Sequence, residues 1–182
     1  MVEVEQKFRG VDFDLLEQKL RSLGAVESER HSEADHYFNA PDRDFAGTDE
    51  ALRLRRIGSD NFLTYKGPKL DTQTKTRTEV EAALAAGAQA AEAFLQVLKH
   101  LGYRPVAVVR KCRRMYRCRR DGFELTICLD DVEGVGKYAE LEIRAPPERL
   151  EEAREILLHT AAELGLTISE RRSYLELLLA GV

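Results

Sequence analysis

The residues of this chain best suited to chemistry are carboxylates and cations set two positions apart. At its start Glu3, Glu5 and Lys7 alternate with Val2, Val4 and Phe8. In an extended strand this spacing puts the three charges on one face and the apolar residues on the other. Two carboxylates about 7 Å apart repel each other, and a divalent cation neutralises such a pair well. For this strand alone, a half-buried edge with a solvated face explains the pattern equally. The same oddity recurs along the chain. Arg53 and Arg55 alternate with Leu52 and Leu54, Lys66 shares a face with Phe62 and Thr64, and Lys75, Arg77, Glu79 and Glu81 are in phase. Further on, Lys111 and Arg113 lie in a long basic stretch. Glu124, Thr126, Cys128 and Asp130 then alternate with Leu125, Ile127 and Leu129, and Glu140, Glu142 and Arg144 with Ala139, Leu141 and Ile143.

Such residues need strands to position them. The spacing predicts strands over 2–8, 26–39, 51–56, 62–66, 75–82, 104–119, 123–129 and 138–144, with Gly58-Ser59-Asp60-Asn61 as a hairpin turn and 67–74 as a loop. A helix is expected from Asp12 or Asp14 to about Leu23, stopped by Gly24, and others over about 88–101 and 148–164. A short last helix, capped by Ser169, is expected to run to Leu179. Many short antiparallel strands with interspersed helices predict an α+β chain, and eight strands suffice to close a barrel. The expected fold is therefore a closed eight-stranded antiparallel β-barrel with helices packed outside, formed by residues 1–182 as a single domain.

Closure would turn the charged faces inward. The lumen would then carry Lys7, Arg53, Arg55, Lys66, Lys75, Arg77, Lys111 and Arg113, facing Glu3, Glu5, Glu79, Glu81, Glu124, Asp130, Glu140 and Glu142. An open sheet with this face in bulk water would explain each strand separately. It would not explain why the helices carry the large apolar faces while no strand is apolar on both sides. Charges in a narrow lumen are partly desolvated, so they must pair or bind something. A polyanion on the arginines and lysines, with a divalent metal on the glutamates, satisfies both sets.

A net charge of −4 argues against a nucleic-acid partner. The outward arginines Arg110, Arg114, Arg117, Arg119 and Arg120 read as a solvated face or a dimer contact. Cys112, Cys118 and Cys128 lack paired metal spacing, and an odd number is a poor disulfide framework. With no signal peptide and no apolar run of membrane-spanning length, the cytoplasm is the expected compartment. His36 reads as structural, and His31, His100 and His159 show no ligand spacing.

At this point the chain resembles the CYTH superfamily of class IV adenylate cyclases, thiamine triphosphatases and inorganic tripolyphosphatases, whose fold is a triphosphate tunnel. Glu3-x-Glu5-x-Lys7 is similar to its ExExK signature, and Leu52-Arg53-Leu54-Arg55 to its paired-arginine strand. Thr64-Tyr65-Lys66-Gly67 resembles its lysine strand, Lys111-x-Arg113-x-x-Tyr116 its basic strand, and Leu129-Asp130 through Glu140-x-Glu142 its acidic return. The stretch from Tyr65 to Lys69 with Lys75-Thr76-Arg77-x-Glu79-x-Glu81, and Arg172-Ser173-Tyr174-Leu175-Glu176, look most like the class IV cyclase branch.

The resemblance implies that Lys7, Arg53, Arg55, Lys66, Lys111 and Arg113 grip a triphosphate, with Arg77 either touching substrate or belonging to an ion-pair ladder. It implies that Glu5 and Glu142, helped by Glu3, Asp130 and Glu140, hold Mg²⁺ or Mn²⁺. The catalytic set is expected to be Glu5, Glu142, Lys66 and Arg113, and the reaction conversion of ATP to cyclic AMP and pyrophosphate. Triphosphate hydrolysis and non-catalytic binding of a polyphosphate or nucleotide are the alternatives. A homodimer is implied by the resemblance alone. Tyr116 is expected either to contact a base or to order Lys111, and Lys69 to approach a nucleotide from its loop.

Overall fold

The computed structural model describes residues 2–69 and 77–181. Lys75, the side chain of Lys69 and the loop 70–76 lie outside the described residues, so the expectations placed on them are not addressed. Eight strands form one antiparallel sheet: β1 (Val2–Arg9), β2 (Val26–Asn39), β3 (Ala51–Ile57), β4 (Asp60–Lys69), β5 (Arg77–Leu84), β6 (Arg104–Arg120), β7 (Phe123–Val132) and β8 (Gly136–Ala145). Their order is β1-β8-β7-β6-β2-β3-β4-β5.

Among the described residues no pairing joins β1 to β5, the two ends of this order, so the strands form a curled antiparallel sheet, a half-barrel, and the expected closure is not seen. The curl is deep, since Glu79 on β5 and Lys66 on β4 still act electrostatically on Glu3 of β1. Two features mark the β1 edge. Residues of the C-terminal segment occupy the free side of β1: Arg9 N–H donates to the Ile168 carbonyl (2.9 Å), and Glu170 N–H to that of Lys7 (2.8 Å). Moreover, Glu3 and Glu79 bring like charges to the facing edges.

Helices cover most of the convex face, as their apolar stripes require. α1 (Phe13–Ser22) begins where the Asp12 side chain accepts from the Asp14 and Leu15 N–H groups, and it buries Phe13, Leu16 and Leu20. α4 (Leu150–Leu164) ends at Gly165 in the left-handed region. Together they cover Val4, Leu125, Ile127, Leu129, Leu141 and Ile143, all at 1% exposure or less. Each such side chain contributes about 1.5–3 kcal/mol by leaving water. α3 (Ala88–His100) packs over Leu52 and Leu54 with Leu98 and Ala91. A short α2 (Phe45–Thr48), capped by Asp44, was not expected from the sequence.

The last helix departs from expectation. α5 (Tyr174–Ala180) is capped by Ser173, not Ser169, in a capping box with Glu176. It does not cover the convex face. Its Tyr174 and Leu177 pack with Tyr37, Val109, Val132 and Tyr138, which continue the concave rows, so α5 stops one end of the trough.

Candidate active site

Cross-strand register sets the concave face. Glu5 lies directly opposite Glu142, and Lys7 opposite Glu140. Arg113 pairs in register with Asp130 on one side and His31 on the other, and Lys111 with Glu33. Asp35 faces Arg55, Arg53 faces Thr64, Ala51 faces Lys66, and Lys66 faces Glu79. Because side chains alternate, these residues share one surface of the curl.

Two differently built regions result. The first is a group of carboxylates. Oxygens of Glu3, Glu5 and Glu142 lie within 4.8 Å of one another. Like charges directly opposite destabilise a sheet, and here burial adds to the cost. Burial, then Glu3, Glu5 and Glu140, push the Glu142 carboxyl up to about 8, although Arg113 opposes the shift. Glu3 is raised by burial, then by Glu5 and Glu79. An all-oxygen donor set whose acids resist ionisation unaided fits a hard divalent cation.

The second region is a cation row already neutralised by acids. Arg113 donates to Asp130 from Nε (2.7 Å) and Nη2 (2.5 Å), and to Glu140 (2.5 Å). Lys111 donates to Asp130 (3.1 Å) and lies 3.3 Å from Glu33. Arg55 is bidentate on Asp35 at 2.7 Å, and Arg53 donates to the same carboxylate at 3.1 Å. Lys66 is 2.7 Å from Glu79. Lys7, 1% exposed, donates to the Arg172 carbonyl, and its ammonium lies 4.1 Å from the Tyr174 ring centroid. Asp130 and Glu140, expected as metal ligands, thus sit with Arg113, outside the Glu3, Glu5 and Glu142 group.

Arg77 lies 3.7 Å from Asp49. Thr64 donates to Glu81 at 2.9 Å, which makes Glu81 part of the sheet's polar ladder. Glu124 is exposed at a strand end, 3.7 Å from Arg117. Tyr116 neither reaches the trough nor orders Lys111: it is buried beneath α1 and α4, with its hydroxyl donating to Glu27 at 3.3 Å. His36 is on the convex side, where burial, Arg110 and Arg56 disfavour its charged form.

Glu33 and Asp35, 4% and 3% exposed, were missed by the sequence reading. The two-residue phase running from Glu29 to Tyr37 was the available signal. Burial alone would raise the Glu33 carboxyl, but Lys111, Arg113 and Arg55 overcome it and hold it at about 2. Arg53 and Arg55 likewise hold Asp35 well below the usual range against burial. Both groups are depressed, so their stabilisation is complete above the ordinary carboxylate range and disappears as pH falls through the folded value. The urea midpoint is expected to drop steadily between about pH 5 and pH 2, with Glu33 accounting for roughly 3 kcal/mol. A Glu33→Gln variant should lose stability at pH 7 and show a flatter profile across that window.

Comparison with known proteins agrees over nearly the whole chain. The CYTH domain family model matches residues 1–174. A Methanocaldococcus jannaschii protein named "Putative adenylate cyclase" is 40% identical over 182 residues, covering 97% of this chain and 98% of that one. Adenylate cyclase CyaB of Aeromonas hydrophila is 33% identical over 178 residues, covering 94% of this chain and 86% of that one. The solved PH1819 protein of Pyrococcus horikoshii has a TM-score of 0.85 at 39% identity, with 98% of each chain covered. A more distant Hippeastrum structure, described as revealing a dominant triphosphatase activity, shares the fold at a TM-score of 0.69 and 17% identity, covering 99% of this chain and 95% of that one.

Proposed function

The chain belongs to the CYTH domain family, and from that premise we propose that it is an enzyme acting on a triphosphate, converting ATP to cyclic AMP and pyrophosphate. The observation that supports this reading best is the placement of buried Lys7, Arg53, Lys111 and Arg113 on the same concave surface as the Glu3, Glu5 and Glu142 group. A string of phosphates suits the first set. The second suits Mg²⁺ or Mn²⁺, which when bound supplies Lewis acidity toward a phosphoryl oxygen. The names of the relatives favour cyclisation.

In this reaction the ribose 3′-hydroxyl loses its proton to water as its oxygen attacks the α-phosphorus, the bond from that phosphorus to the bridging β-phosphate oxygen breaks, and pyrophosphate departs. Negative charge grows on phosphate oxygens. Arginines held by Asp35, Glu33 and Asp130 are already oriented when that charge develops, so little reorganisation is required. Lys66 on β4 and Arg113 on β6, with β2 and β3 between them, would hold different phosphates of the chain. α5, packed across one end of the trough, limits the entry of water there. The alternative is hydrolysis, in which water attacks the terminal phosphorus within the same arrangement, the bond from that phosphorus to its bridging oxygen breaks, and orthophosphate and the diphosphate leave.

Product analysis distinguishes these readings. Purified protein is incubated with ATP, tripolyphosphate or thiamine triphosphate in the presence of Mg²⁺ or Mn²⁺, and products are resolved by chromatography. Cyclic AMP with pyrophosphate is the expected result. Orthophosphate would replace it with the hydrolytic reading, and tight binding without turnover would leave a binding module. The absence of both binding and turnover would remove the triphosphate reading altogether.

A further inference from the structure

We propose that His31 is a positioning residue which determines how tightly Glu33 holds the cations of the trough, an inference that rests on the triphosphate reading. A β-bulge between Glu27 and Glu29 changes the phase of β2. Bulges re-aim side chains. Here Glu27 meets Tyr116 of the convex core, while Glu29 joins His31 and Glu33 on the other face.

The imidazole is nearly enclosed, with 13% of its side chain exposed, and each ring nitrogen is 2.8 Å from a different carboxylate: Nε2 from Glu33 Oε1 and Nδ1 from Glu29 Oε1. The Nε2 contact is an aligned hydrogen bond. Nδ1 is sealed from water without an aligned partner. Ionised carboxylates only accept, so Nε2 must carry the hydrogen.

Glu33 divides its two oxygens. Oε2 serves Arg55 at 2.9 Å and Lys111 at 3.3 Å. Oε1 is taken by His31 at 2.8 Å, while Arg113 Nε stands off at 3.8 Å. His31 and Arg113 therefore compete for one oxygen. With the ring in place, Glu33 Oε1 is satisfied and Arg113 is more available to a phosphate. Without it, Glu33 draws on Arg113, and the grip weakens. The charged groups facing the ring are Glu29 and Glu33 from its own strand, Arg113 and Lys111 from β6, and Arg55 of β3 through Glu33.

The test is calorimetric titration of tripolyphosphate, with Mg²⁺ present, into the wild-type chain and the His31→Ala and His31→Gln variants. Each variant's melting curve is recorded alongside. His31→Ala is expected to bind about tenfold more weakly. His31→Gln, whose side-chain amide can still donate to Glu33, is expected to recover part of that loss. A wild type that binds no tripolyphosphate would remove the functional reading itself. A wild type that binds it, with both variants matching its affinity, would overturn the role of His31 alone.

Discussion

Replacing Glu142 by glutamine is expected to abolish triphosphate turnover and, in the same variant, to raise the melting temperature of the metal-free protein at pH 8. The two effects share one cause. Glu142 faces Glu5 across the β1–β8 pair, and its carboxyl is pushed up to about 8 by burial and by the neighbouring acids. A raised carboxyl binds more protons in the folded than in the unfolded chain between the ordinary 4.5 and about 8. Stability therefore falls as pH rises through that window. Glutamine keeps the shape, removes the charge and relieves the repulsion. Since 1 kcal/mol moves the melting point of a chain this size by about 2–4 °C, a gain of several degrees is expected. Turnover should fall by about a thousandfold or more, equivalent to about 4 kcal/mol of transition-state stabilisation. Adding Mg²⁺ or Mn²⁺ should stabilise the wild type and leave the variant's melting point unchanged. Unchanged turnover in both Glu142→Gln and Glu5→Gln would remove the metal assignment. A lower melting point in metal-free Glu142→Gln would show that the carboxylate is already compensated by the fold.

Asp130→Ala is expected to have the largest effect on stability. This carboxylate is 0% exposed and accepts from Arg113 twice, from Lys111 and from the Tyr174 hydroxyl at 2.9 Å. Its removal leaves two buried cations short of a counter-charge and frees the anchor of α5. Breaking a buried ion pair by deleting one partner costs about 3–5 kcal/mol, or roughly 10 °C in melting temperature. Asp130→Asn separates charge from shape. It retains hydrogen-bonding capacity for Tyr174 but not the charge that balances Arg113, so it should recover only a small part of the loss. Thermal melts of the two variants measure both quantities. If Asp130→Ala melts within a degree or two of the wild type, Glu140 and Glu33 balance Arg113 and Lys111 without Asp130.

What the sequence determined by itself is the set of strands and which of their side chains share a face. A two-residue alternation is local information: once 2–8, 51–56 and 138–144 are read as strands, Glu3, Glu5 and Lys7, Arg53 and Arg55, and Glu140 and Glu142 have no freedom to point elsewhere. The same locality hid Glu33 and Asp35. β2 is polar on both sides over much of its length, and a bulge between Glu27 and Glu29 resets its phase. The tertiary structure decided the pairing. Whether a given acid meets another acid, as Glu142 meets Glu5, or an arginine, as Asp130 meets Arg113, depends on register between strands distant in the sequence. The tertiary structure also decided the order in which the strands of the curled sheet pair and that Tyr174 enters the trough instead of covering its outside. The placement of Tyr174 follows from the C-terminal segment docking beside β1 at Lys7 and Arg9, a long-range contact for which no periodicity in the chain carries a signal.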